Sequence, residues 1–292
     1  MRIAVTGGSS FVGAHFCRLA STRHQVIPLY HSTPTVLNGT TPLRCDLRSQ
    51  RDMARLRELA PELIVHLACR IKAPPIGDET PSEAARNINR AMLDAVLSLE
   101  KPLVYASSTV VHWEGDSPYA LGRREDEKRV GSSGLPYAIV RPCAPYGPRL
   151  VGHQPGHKES FHLLARLVRS LPAIPVVGDG RYRRQPVHVD DFARSILSLI
   201  DQGLPSQSFD AGGAEELTFD EVVDTLAKVM GRRVNKIHIP KQLFVRLARI
   251  APDFDPELMD TMDCDDVADP SLLAAAAGFM PRSFSEGVRC LI

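Results

Sequence analysis

The sequence predicts an α/β protein in which a doubly wound parallel sheet is followed, after about residue 150, by a smaller α/β lobe. Three observations carry this. Short apolar runs alternate with longer amphipathic stretches through the first half, the pattern of a parallel sheet with helices on both faces. A Gly/Ser turn, TGGSSFVGAH (6–15), joins the first apolar run to the first amphipathic one. From about residue 150 the alternation loosens, starting with the Gly/Pro/His stretch GPRLVGHQPGHKES (147–160).

The elements follow in order. IAVT (3–6) reads as a buried strand and FVGAHFCRLAS (11–21) as a helix. HQVIPLY (24–30) is the second strand, PLRCDL (42–47) ends a third, and SQRDMARLREL (49–59) is helical. LIVHLA (63–68) is a fourth strand, EAARNINRAMLDAVLSL (83–99) a long helix, and PLVYASS (102–108) a fifth strand. YALGRREDEKRV (119–130) is helical and PYAIVRP (136–142) a sixth strand. Beyond them, FHLLARLVRSL (161–171) is a helix, and VVGDGRYRRQPVHVDD (176–191) reads as a hairpin leading to a helix from Asp190. TFDEVVDTLAKVMG (218–231) has a Thr cap at its start and Gly231 at its end. The last forty residues read as short helices broken by Pro252, Pro256 and Pro270. The expected division is 1–150 and 151–292, with about 185–211 returning to the first lobe.

Composition excludes several classes. The chain is 43% hydrophobic and 24% charged, ordinary for a globular protein, and its formal charge of +1 gives no electrostatic reason to expect nucleic acid. Cysteines 17, 45, 69, 143, 264 and 290 are scattered, with no CxxC and no His/Cys group at metal spacing. Reduced thiols in the cytoplasm and no metal are therefore expected. His153, His157 and His162 suggest no metal, since the first two lie in a Gly/Pro loop without supporting carboxylates or cysteines, and that loop reads as a substrate cover. The N-terminal strand runs directly into a turn, so no signal peptide is expected, and no apolar run is long enough to span a bilayer.

Two stretches carry chemistry. The turn 6–15 lies between a strand and a helix, the context of a dinucleotide site: glycines permit a tight turn and close backbone approach, and the helix N-terminus faces a pyrophosphate. The second is SPYALGR (117–123). Tyr119 and Arg123, at i and i+4, share one helix face, and a neighbouring cation favours an ionised phenol. The pair reads either as a proton-transfer site with a lowered phenol pKa or as a solvated helix surface.

Taken together, the motifs resemble the extended short-chain dehydrogenase/reductases, the NAD-dependent epimerase/dehydratase group. TGGSSFVG resembles TGxxGxxG, with Ser10 in place of the middle glycine. CDL (45–47), PELIVHLAC (61–69), VYASSTVVHW (104–113), SPYALGR with Glu127, RPCAPYGP (141–148) and GDGRYRRQPVHVDD (178–191) resemble further motifs in the family's order, and Asn87 matches its helical asparagine. The resemblance implies a Rossmann-type cofactor lobe and a smaller C-terminal substrate-binding α/β lobe. It implies cofactor contacts from Gly7, Ser9, Ser10, Phe11, Val12 and Gly13, from His31 and Ser32, from Asp46 and Leu47, from Leu67 and Ala68, and from Tyr119 and Arg123. Catalysis falls to Ser108, Tyr119 and Arg123, and substrate binding to Ser108, Thr109 and Arg184. Relatives carry lysine where Arg123 stands, and the two are not interchangeable.

The second strand ends in Tyr30-His31-Ser32, without the acid that holds the ribose 2′-hydroxyl in NAD-preferring relatives. Two readings stand: NADP, with His31, Ser32 or Arg44 at its 2′-phosphate, or NAD bound without that acid. Thr109-Val110-Val111 replaces the Asp-Glu pair of sugar-nucleotide 4,6-dehydratases, so elimination is disfavoured. The implied activity is an NAD(P)-dependent epimerase or ketoreductase acting on a sugar nucleotide, as a homodimer through the helix of Tyr119 and the long helix before it. The alternatives are a catalytically weakened NAD(P)-binding scaffold, motivated by Ser10, Arg123 and Ala144, and a reductase of a non-nucleotide carbonyl compound. The arginines Arg181, Arg183 and Arg184 read as phosphate ligands or as a solvated edge.

Overall fold

In the computed structural model, which describes residues 1–34, 37–75, 77–150, 160–248 and 262–291, seven parallel strands form the main sheet. These are β1 (Arg2–Thr6), β2 (Gln25–Tyr30), β3 (Leu43–Arg44), β4 (Leu63–His66), β5 (Leu103–Ala106), β6 (Tyr137–Pro142) and β9 (Gln207–Ala211), in the order β3-β2-β1-β4-β5-β6-β9. The chain steps outward from β1 to β2 and β3, then returns to the other side of β1 as β4. That reversal opens a crevice beyond the carboxyl ends of β1 and β4, where ligands bind in open α/β sheets.

Strand alternation divides the core between two faces. Ile3, Val5, Val65 and Val104 pack with Phe16 and Cys17 of α1 (Phe11–Ala20) and with Phe192, Ile196 and Ile200 of α6 (Val189–Asp201). Ala4, Ile64, Leu103 and Tyr105 face Met53 and Leu56 of α2 (Gln50–Glu58), Leu93 and Val96 of α3 (Pro81–Leu97), and Val130 of α4 (Pro118–Gly131). Caps set the starts of these helices. Thr80 and Glu83 form a reciprocal capping box with Pro81 in the first turn, so α3 begins before the expected residue 83. Ser117 caps α4 and places Pro118 at its first position. His15, buried on α1, hydrogen-bonds Asp190 of α6 (2.7 Å) and the Pro148 carbonyl (2.9 Å), which ties the glycine-turn helix to the following lobe.

A third cluster holds the C-terminal part. Tyr146, Phe161 and Phe284 pack with Val168 of α5 (Ser160–Ser170) and with Val222 and Leu226 of α7 (Phe219–Val229). Here the fold differs from the sequence expectation. Residues 176–191 are no hairpin. β7 (Ala173–Val177) pairs in parallel with β11 (Asn235–Ile239), and β8 (Arg183–Arg184) pairs antiparallel with β10 (Leu217–Thr218). Gly178 and Gly180 both take positive φ (+65° and +71°), so the chain turns out of β7 and its continuation finds a partner from distant sequence. The run Gln207–Ala211, which carries no motif, is the seventh strand against β6. After α8 (Lys241–Ala248) come α9 (Ser271–Ala277), begun by Pro270, and α10 (Phe284–Gly287). Pro252 and Pro256, like His153 and His157, lie outside the described residues.

Candidate active site

The glycine turn is fixed by close backbone approach. Gly7 has φ +65°, and a Cβ there would lie 2.8 Å from the Ala68 nitrogen. A Cβ on Gly13 would lie 2.1 Å from the Gly7 carbonyl oxygen, so α1 can only begin against the turn if residue 13 is glycine. Ser10, the departure from the glycine pattern, is the N-cap of α1: its Oγ accepts from the Gly13 N–H at 3.0 Å. The substitution thus satisfies one of the open helix donors, and the hydroxyl proton stays available to a ligand.

Beyond this turn lies a cleft of about 330 Å³. Gly7, Ser9, Ser10, Phe11, His31, Ser32, Asp46, Leu47, Leu67 and Ala68 all line it, as expected from the sequence. Val12 and Gly13 do not: Val12 packs against the core, and Gly13 sits behind the turn. Tyr119 and Arg123 line a smaller neighbouring cavity with Asn89 and Asp126. Tyr30, which stands where the ribose-binding acid was sought, also lines the cleft, as do Thr33, Arg48 and Arg70, which the sequence did not single out. Asp46 is gripped by Arg48 through Nε and Nη2 (both 3.2 Å), with His31 3.7 Å away; burial pushes its carboxyl up, but the Arg48 hydrogen bonds and charge hold it below the usual range. The buried asparagine of α3 is Asn89, which hydrogen-bonds the backbone N–H and carbonyl of Arg70, both at 2.8 Å. Asn87, the residue matched by motif, is exposed and donates to Glu79.

Ser108, Tyr119 and Arg123 converge at the carboxyl end of β5. Ser108 caps the 3₁₀ turn Thr109–His112. Tyr119 and Arg123 lie one helical turn apart on α4, and the guanidinium sits 5.2 Å from the Tyr119 ring centre. The expectation of a lowered Tyr119 pKa is corrected. Burial raises this phenol above its ordinary value, and it outweighs the Arg123 charge and the hydrogen bonding from Arg123 and Ser108, which act downward. Arg123 itself is 4% exposed. Its Nη1 donates to the Tyr105 hydroxyl (2.6 Å) and to the Ala106 carbonyl (3.3 Å), and Tyr105 donates to Asp126 (2.8 Å). The reading of Arg123 as a surface group is thereby excluded. His66, buried and stacked on Tyr105 with ring centres 5.8 Å apart, is pushed down to about 3 by burial and by the Arg123 charge.

On the other side of Ser108 the expected substrate residues are held differently. Thr109 is buried, and its hydroxyl donates to Asp266 Oδ1 at 2.5 Å. Burial raises the Asp266 carboxyl, a residue that no motif marks. Arg184 stacks on Tyr182 (4.6 Å) and donates to the carbonyls of Met262 and Cys264. Arg183 pairs with Asp265 and Glu216. In this arrangement the arginine strand, with Arg183 still exposed, fastens residues 262–266 onto β8. Glu127 forms a two-bond pair with Arg141 (2.8 and 2.6 Å), and Asp210 links Arg141 to His112. His162 bonds the Gly147 carbonyl and meets Phe11 edge-on. Among the described residues no helix is long and apolar enough to cross a membrane.

Comparison with known proteins agrees with this geometry. An uncharacterized UDP-glucose epimerase, YtcB, of Bacillus subtilis is 26% identical over 80% of this chain and 83% of its own length. A dTDP-glucose 4,6-dehydratase of Streptomyces niveus is 26% identical over 99% of this chain and 90% of its own. The structure of Thermus thermophilus UDP-glucose 4-epimerase in complex with NAD superposes with a TM-score of 0.74 at 24% identity, covering 100% of this chain and 97% of that one. The model of the NAD dependent epimerase/dehydratase family matches residues 3–212. With the glycine turn, the switch-point cleft and the Ser-Tyr-Arg corner in one sheet, the chain belongs to the NAD dependent epimerase/dehydratase family.

Proposed function

We propose that this protein is an NAD(P)-dependent epimerase or ketoreductase of a sugar nucleotide, with Tyr119 as its acid/base. The observation that carries this is the convergence of Ser108, Tyr119 and Arg123 at the end of β5, beside the cleft headed by the glycine turn. Bound there, the nicotinamide would supply or take up the hydride. Gly7 and the start of α1 admit and orient the pyrophosphate. Ser108 orients the reacting oxygen, and Tyr119 takes or returns its proton. Arg123 keeps a fixed positive charge against the phenol and offsets part of the burial that disfavours phenolate.

The sugar-nucleotide class is supported by the UDP-glucose and dTDP-glucose enzymes among the relatives. Epimerisation or reduction is preferred to 4,6-elimination because Thr109-Val110-Val111 follows Ser108, although a dehydratase is among the similar proteins. The NADP reading is supported by Tyr30, His31, Ser32 and Thr33, which bring no acid to the cleft, and by Arg48, which neutralises Asp46. We assign residues 1–150 with about 185–211 to the cofactor lobe and the rest to the substrate lobe. We further propose a cytoplasmic homodimer through α3 and α4, whose Arg90–Glu125 and Arg129–Asp94 pairs join the two helices.

The test is to denature freshly purified protein, identify released nucleotide by mass spectrometry, and assay UDP-glucose and dTDP-glucose with NAD and NADP. Turnover that Tyr119→Phe abolishes, with coenzyme affinity kept, is the expected result. Undiminished turnover in that variant ends the assignment.

A further inference from the structure

Arg123 stands where the motif it resembles carries lysine, and the structure shows what surrounds it. Arg123, Tyr105 and Asp126 are 4%, 0% and 4% exposed, so a guanidinium and a carboxylate have both been taken from water. They do not touch directly. Asp126 Oδ2 accepts from the Tyr105 hydroxyl at 2.8 Å, and that hydroxyl accepts from Arg123 Nη1 at 2.6 Å. The guanidinium lies 5.7 Å from the Tyr105 ring centre and 5.2 Å from that of Tyr119, so it bridges a strand tyrosine and a helix tyrosine. An ammonium is a point charge on a flexible stem, whereas the planar fork takes its orientation from its acceptors. A buried cation without a countercharge would be costly, and Asp126 supplies one.

We propose that Tyr105 and Asp126 are positioning residues for Arg123: together they hold the guanidinium against Tyr119, so that arginine serves where the family uses lysine. Asp126 fixes the Tyr105 hydroxyl, the hydroxyl fixes Nη1, and the rest of the fork is thereby aimed at the phenol. The three residues form one unit. Lysine at 123 would reach neither the Tyr105 hydroxyl nor the Tyr119 ring in the same geometry, so restoring the family residue alone impairs this protein. This proposal rests on Tyr119 being the acid/base.

The charged and titratable groups around the unit are known. From β4 and the segment after it come His66 and Cys69, from β5 Tyr105, from α4 Arg123, Glu125 and Asp126, and from α3 Arg90. The test reads Tyr119 without requiring turnover. Fluorotyrosine is placed at position 119 of the full-length protein, and its ionisation is followed by ¹⁹F NMR against pH. Tyr105→Phe is expected to move the titration upward by about one unit, as for a phenol losing a fixed cation. Asp126→Ala should move it in the same direction, although loss of a nearby carboxylate acting only through its field would move it down. Asp126→Asn, which keeps an acceptor for Tyr105, should move it less. In an Arg123→Lys background, Tyr105→Phe should add nothing, the non-additivity expected of one unit.

A downward shift in Asp126→Ala, an unmoved titration in Tyr105→Phe, or additive shifts in the double variant would each overturn the proposal. If Tyr105→Phe does not fold, the sign in Asp126→Ala decides. Turnover that survives Tyr119→Phe would end the catalytic reading instead, and the titrations would still report whether the unit exists.

Discussion

The glycine turn at 6–13 and the arginine pair at 183–184 both stand out in the sequence as places for phosphate, and the fold uses them differently. The turn keeps the shape its pattern suggests, because its constraint is backbone against backbone: Gly13 faces the Gly7 carbonyl, and Gly7 faces Ala68. The arginines have long side chains that take whatever acceptors the tertiary structure brings. Here those are the carbonyls of Met262 and Cys264, with Asp265 and Glu216. A motif made of backbone geometry carries its function with it, whereas a motif made of flexible cations depends on what folds against it.

The largest effect expected is at the corner between these regions. Tyr119→Phe should lower turnover on the order of 10²–10⁴-fold, the usual share of general acid–base catalysis, with coenzyme affinity within a few-fold of wild type. Steady-state kinetics and a binding titration measure the two separately. Next is the turn itself. Gly13→Ala places a Cβ 2.1 Å from a backbone oxygen that no rotamer change can relieve. A loss of about 1–3 kcal/mol in denaturant unfolding, together with loss of dinucleotide binding, is expected. Retained binding at wild-type affinity would remove the turn's special status.

The arginine strand gives the sharper contrast. Arg184→Ala should cost about 1–2 kcal/mol through lost bonds to the Met262 and Cys264 carbonyls, discounted for partial exposure, and should speed hydrogen exchange across 262–266. If it raised KM for a sugar nucleotide and left stability unchanged, the phosphate-ligand reading would return and the comparison would collapse. A pH series tests the buried histidines, apart from the contrast of the two motifs. His66 and His188 are held neutral in the fold, pushed down from 6.5 to about 3 and about 4, in both cases chiefly by burial. Because the unfolded chain binds these protons more readily, stability is full above about pH 6.5 and falls as the pH drops from there towards those folded values. Unfolding midpoints from pH 8 to pH 4.5 should decline progressively below 6.5, and a flat profile would contradict neutral burial of these rings.

Much of the fold was legible because its signals are local. Alternating apolar runs and the cap at Thr218 are short-range properties of the chain. The hairpin expected at 176–191 failed for the complementary reason. Strand pairing is a long-range choice, and β7 and β8 take partners from 235–239 and 217–218. Asn89 and Asn87 show the same limit at one helical position: motif spacing selected the exposed residue, and packing against Arg70 selected the other.

By itself the sequence determined the parallel α/β class and the glycine turn, through periodicity and backbone freedom, while Ser108, Tyr119 and Arg123 were picked out by the resemblance of their motifs to the family's. Only the tertiary structure decided what those groups experience. It half-buried Tyr119, enough for desolvation to outweigh a neighbouring cation, turned Arg123 inward onto Tyr105 and Asp126, and brought Asp266 to Thr109 from the far end of the chain. Burial and countercharge are properties of three-dimensional neighbours, and spacing along the chain does not encode them.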